Sequence, residues 1–141
     1  MKRRTLVLSV AGLPTLALAH HGWSSFDQDR PLYLEGKVTK SRWQNPHAEL
    51  ELEVSPSLKV PADGKALLAK AQVPTRKDTK WEVELAPLTR MEAWKVAEIK
   101  PGTQVSVLGF GLKDEKGEPV LRAEYLFVNG KAYGLRSSPS A

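Results

Sequence analysis

Ala48-Glu49-Leu50-Glu51-Leu52-Glu53-Val54 sets Leu50, Leu52 and Val54 on one side of an extended chain and three glutamates on the other. Successive side chains of a strand point to opposite faces, so this period of two reads as a strand with one dry and one wet face. Trp81-Glu82-Val83-Glu84-Leu85 repeats the pattern. Upstream, residues 32–43 read as a long strand containing Gly36, at a place where a small barrel commonly bends. Downstream, residues 103–109 and 120–128 read as two more strands joined through the Asp114-Glu115-Lys116-Gly117 turn. Asn129-Gly130 favours a tight hairpin into a last short strand over residues 131–135.

One helix is predicted over residues 88–98, where Leu88, Met91 and Trp94 fall on one side and Lys100-Pro101-Gly102 supplies the stop. Residues 55–79, richer in Pro, Lys and Ala, read as a mobile insertion holding a short helix at 65–71. Residues 136–141 read as a flexible tail. The fold class expected is mainly β: a small five- to six-stranded OB-fold-like barrel with one helix between the third and fourth strands. A β-sandwich is the alternative, because alternation does not distinguish a closed barrel from two stacked sheets.

Met1-Lys2-Arg3-Arg4 precedes an apolar run over residues 5–18, and no acidic residue occurs before Asp27. The run is shorter than the about 20 residues a bilayer-spanning helix needs, and it contains Gly12 and Pro14. Ala17-Leu18-Ala19 then gives the small-x-small pattern of a signal-peptidase site. Residues 1–19 are therefore expected to be a bacterial signal peptide cut between Ala19 and His20, delivering a periplasmic or secreted domain over residues 20–135 without a membrane anchor. Arg3-Arg4 also leaves a twin-arginine route open.

Lys2, Arg3 and Arg4 supply three of the five net positive charges, so the basicity lies largely in the targeting segment. Single-stranded nucleic acid is not an expected partner, because Glu49, Glu51, Glu53, Glu82 and Glu84 would face phosphates along the strands that OB-folds commonly use. Cysteine is absent, which excludes disulfides and thiolate metal sites. No nucleophile, general-base pair or cofactor motif stands out, so the reading leans away from an enzyme.

The chain has three histidines, and cleavage after Ala19 would put His20 and His21 at its first two positions. A terminal histidine offers a metal both its α-amine and its imidazole Nδ1, and the amine gives up its proton close to neutral pH. His47, on the turn Trp43-Gln44-Asn45-Pro46-His47 stiffened by Pro46, is the candidate third donor. Three nitrogens in a plane form a histidine brace and suit Cu(II), while Zn(II) remains an alternative for an open three-nitrogen site. His21 is the alternative to His47 in a looser terminal site. Cleavage after Ala17 would instead make His20 a third-position ligand. Asp27 is a candidate partner for a ligating ring, and Trp23 and Trp43 are candidate shields against water. The bland readings are an Asx turn for Asp27, a turn residue for His47 and core positions for the tryptophans.

Ala19-His20-His21-Gly22-Trp23-Ser24-Ser25-Phe26-Asp27, Gly36-Lys37-Val38 and the W-x-N-P-H stretch Trp43–His47, followed by Trp81-Glu82-Val83-Glu84-Leu85 and Lys100-Pro101-Gly102-Thr103-Gln104-Val105, carry a resemblance. In these the chain resembles a family of small secreted bacterial proteins known only as a domain of unknown function. The resemblance implies export and an OB-like β-barrel, with no established activity. Members usually join strands two and three briefly, so residues 55–79 depart from the pattern. The function expected is periplasmic binding of a metal ion, copper first and zinc second, for storage, delivery or sensing. The alternative is a metal-free module that docks an envelope protein partner or a small ligand.

Overall fold

The computed structural model describes residues 21–139. Its strands are β1 (Phe26–Arg42), β2 (Glu49–Val54), β3 (Lys80–Glu84), β4 (Gln104–Leu112), β5 (Val120–Val128) and β6 (Lys131–Gly134). Helix α1 (Ala62–Leu67) lies between β2 and β3, and α2 (Leu88–Ala93) between β3 and β4. β1 is long enough to serve two neighbours, pairing antiparallel with β2 through its second half and with β4 through its first. β2 pairs with β3, β4 with β5 and β5 with β6, all antiparallel. A short parallel pairing of β3 with β5 then closes β3-β2-β1-β4-β5 into a barrel-like ring, with β6 paired alongside β5. Closure through that seam decides against two stacked sheets.

The alternation works as expected: Leu50, Leu52, Val83 and Leu85 are buried, and they join Val107, Leu121 and Leu126 in one interior cluster. Each such side chain stabilises the fold by roughly 1.5–3 kcal/mol on burial. β1 bends where expected, since a Cβ on Gly36 would sit 2.1 Å from the Glu53 carbonyl oxygen and no side chain fits between the strands there. The neighbouring register shift between Val38 and Lys40 adds a bulge that turns the strand further.

Two expectations about helices need correction. α2 ends at Ala93 rather than at residue 98, because Lys95 takes a left-handed conformation (φ 56°). Val96 N–H donates to the Met91 carbonyl and Lys95 N–H to the Glu92 carbonyl, the paired bonds of a Schellman stop. The short helix of the insertion lies at Ala62–Leu67, not 65–71, so the ring carries two helices. That insertion folds back over the outside of the ring: Val60, Leu68 and Ala71 pack on Tyr33 and Leu108. Gln72 forms a parallel bridge to Leu32, with its carbonyl accepting from Tyr33 N–H at 2.8 Å. The start of the tail is tied in as well, through Arg136 to the Leu85 and Ala123 carbonyls and through the Ser137 carbonyl to the Trp94 indole N–H.

Candidate functional site

A row of residues crosses the outer face of the ring. Glu49 on β2 is the Cα partner of Glu84 on β3, and Glu84 is the partner of Arg122 on β5. Paired residues share a face, so these three side chains stand side by side across three strands. Glu49 and Arg122 are two strand spacings apart, about 10 Å.

His47 stands at the β2 end of this row. Asn45-Pro46, a cis peptide, leads into it, and the Asn45 side-chain oxygen accepts from Leu88 N–H at 3.1 Å, pinning the turn to the start of α2. His47 precedes β2 by two residues and shares the outward direction of Glu49, as residues two apart along an extended chain do. Its Nδ1 lies 3.3 Å from Glu49 Oε1, and Arg42 contacts the other oxygen of that carboxylate.

The segment from His21 to Phe26 occupies the β5 end. Trp23–Ser25 form one 3-10 turn, and Phe26 drops its ring between Phe110 and Val120. Arg122 gathers the segment: its Nε donates to Glu84 Oε2 at 2.9 Å and its Nη2 to the His21 carbonyl. Its guanidinium carbon lies 4.3 Å from the Phe26 ring centre and 4.7 Å from that of Trp23. Arg136 contributes a second guanidinium 5.3 Å from the Trp23 ring. The His21 imidazole meets Phe26 edge-on, with centres 6.1 Å apart. Burial of the two cations is tolerable because Glu84 pairs one and backbone carbonyls accept from both. Burial also lowers the pKa of Arg136, while the nearby Glu124 opposes that shift and is itself raised by burial.

The sequence-predicted residues divide accordingly. His21 and Trp23 lie at the Arg122 end of the row, and His47 lies at the Glu49 end. Trp43 packs against the core, beside a groove it shares with Leu88 and Val96. The Asp27 carboxylate accepts from Asp29 N–H at 3.2 Å, the Asx turn of the bland reading. His20, the cut after Ala19 and the signal peptide lie outside the described residues. Among the described residues no group of three or more His, Cys, Asp or Glu is placed to hold a metal. No helix among them is long and apolar enough to cross a membrane.

Sequence reasoning missed Glu49, Glu84, Arg122 and Arg136. Glu49 was within reach, since its spacing of two from His47 fixes a shared face. Arg122 carried a signal too, as the one charge in the otherwise apolar run Val120-Leu121-Arg122-Ala123.

A family model described as a family of unknown function, DUF6152, matches residues 7–61. The matched stretch takes in the three histidines, all of β1 and β2, and Glu49. No curated protein matches the chain.

Proposed function

We propose that the protein binds Cu(II) in the periplasm, through the α-amine and ring of a terminal His20 and the ring of His47, and stores, delivers or senses the ion. The observation that carries this reading is the shared face: the His47 ring stands against Glu49 on the same outer row at which Arg122 holds the His21 carbonyl. A carboxylate beside Nδ1 is the usual arrangement for a ligating histidine, since it fixes the tautomer and leaves Nε2 as the metal-binding nitrogen. The donor set fits the ion: planar nitrogens suit Cu(II), and Met91 is the one methionine beyond Met1, which weighs against a sulfur-rich Cu(I) carrier. When bound, the copper would supply a Cu(II)/Cu(I) couple; the chain's own residues supply ligands, orientation and charge balance.

Copper titration of secreted protein whose first residue is established by intact mass, followed by electron paramagnetic resonance, tests the reading. His47→Ala is expected to remove one nitrogen from the spectrum and to weaken binding. Glu49→Gln, which leaves the ligands in place, is expected to weaken it about 10–100-fold. An unchanged spectrum in His47→Ala would leave only loose binding at the terminus and overturn the proposal.

A second reading has one observation in its favour. A groove of about 630 Å³ runs along the outer face of β2 and β3, where Lys40, Arg42 and Lys80 alternate with Glu49, Glu51 and Glu82. Such a mixed surface suits a metal-free module that docks an envelope protein. That reading expects a Lys80→Glu and Glu51→Lys pair of charge reversals to abolish function while His47→Ala leaves it intact.

A further inference from the structure

Apart from the bonds of its own turn, the segment from residue 21 to residue 25 makes one hydrogen bond to the strands among the described residues, from the Arg122 guanidinium to the His21 carbonyl. The turn's own bonds, Ser25 N–H to the Gly22 carbonyl at 3.0 Å and Phe26 N–H to the Trp23 carbonyl, shape the segment but do not attach it across the ring. Its remaining attachment is aromatic. Trp23, still 39 % exposed, lies over both the Arg122 and the Arg136 guanidinium, and the Phe26 ring lies 4.3 Å from Arg122. Glu84, only 4 % exposed, accepts from the Nε of the same guanidinium. One side chain thus meets a carboxylate through Nε, a backbone carbonyl through Nη2 and two rings against its planar guanidinium, which a lysine has no means of doing.

We infer that Arg122 is the positioning residue of the proposed metal site. It binds no metal itself; held in orientation by Glu84, it fixes the chain at His21, next in sequence to the proposed terminal ligand, on the same outer row that carries His47 and Glu49. The inference rests on the copper reading for its purpose but not for its geometry. Untethered, the segment would have to be ordered when the metal binds, and the cost of ordering several residues would come out of the affinity. A tether that has already ordered them leaves that free energy to the metal.

The test separates the tether from the metal. Arg122→Ala alone would leave Glu84 buried and unpaired and risk unfolding. Two other variants avoid that: Arg122→Lys keeps the charge without the fork, and the pair Arg122→Met with Glu84→Gln removes both charges together. Amide hydrogen exchange, measured without metal in the full secreted protein, is expected to quicken about tenfold or more at Ser25 and Phe26, whose N–H groups close the turn on the Gly22 and Trp23 carbonyls, in both variants, as loss of a charged hydrogen bond implies. Exchange in the rest of β1 and in β2 should stay as in the wild type. With Cu(II) added, both variants are expected to bind about tenfold or more weakly and to show the resonance spectrum of His47→Ala. Unaltered exchange at Ser25 and Phe26 would overturn the tether. Faster exchange with wild-type copper affinity and spectrum would overturn its positioning role. Failure of the copper reading is seen separately, in the His47→Ala protein with Arg122 intact.

Discussion

Tyr33 shows how a single side chain links the covered outer face to pH. Its ring is buried under the insertion beside Leu108 and Ala71, and its hydroxyl donates to Glu35 Oε2 at 2.6 Å, with Ser106 Oγ 3.2 Å away. Burial first, and then the Glu35 carboxylate that prefers a protonated partner, push the hydroxyl up to about 12. The folded state therefore holds a proton that the unfolded chain gives up near pH 10. Stability from this residue is full below pH 10 and drains away as pH rises through about 12. Alkaline denaturation monitored alongside tyrosinate absorbance should show one tyrosine ionising together with unfolding, and Tyr33→Phe should remove that coupled step at a cost of about 1 kcal/mol at neutral pH. A Tyr33 that ionises near pH 10 while the protein stays folded would contradict the burial argument. At this scale the sequence was only half legible. His47 could be singled out by its chemistry, whereas its contact with Glu49 rather than Asp27 depended on which side chains a strand turns outward. The grip of Arg122 joins residues 101 positions apart, and no local pattern encodes that.

Among the elements, α2 shows why a boundary can be misread from an accurate pattern. Leu88 and Trp94 pack against the core and Met91 is buried in it, so the apolar side of the helix is as the spacing implies. The helix nevertheless stops at Ala93, because Lys95 accepts a left-handed backbone that glycine or asparagine normally marks. Val96 and Met91, both buried, supply the apolar contact that accompanies such a stop. Lys95→Gly relieves the backbone strain without removing either hydrogen bond, and it is expected to stabilise the protein by about 0.5–1 kcal/mol in denaturant unfolding. A destabilisation would mean that the lysine side chain, not the turn, matters there. The insertion carries the same lesson. Its composition reads as loop, yet Leu68 and Ala71 find a sheet face already lined with Tyr33 and Leu108, and complementarity between distant segments is invisible to a local window.

Across the whole molecule, ring closure and the placement of the N-terminal segment depend on the same strands. The β3–β5 seam is three residue pairs long, and the last of them is Glu84 with Arg122, the pair that also holds His21. The path of β5 is set from its other side by Gly109 on β4, where a Cβ would lie 2.1 Å from the Arg122 carbonyl oxygen. A side chain there must push β5 outward at Arg122 itself. Gly36 makes an equally close approach at the β1–β2 seam, against the Glu53 carbonyl, but touches neither β5 nor the N-terminal segment. Gly36→Ala and Gly109→Ala should therefore destabilise the ring by similar amounts, roughly 1–3 kcal/mol each, read by thermal or denaturant unfolding. Only Gly109→Ala should also loosen residues 21–25, seen as faster amide exchange at Ser25 and Phe26 under conditions where the ring stays folded. Equal protection of the segment in both variants would show that its placement is independent of the seam, and that the ring serves it as a passive support.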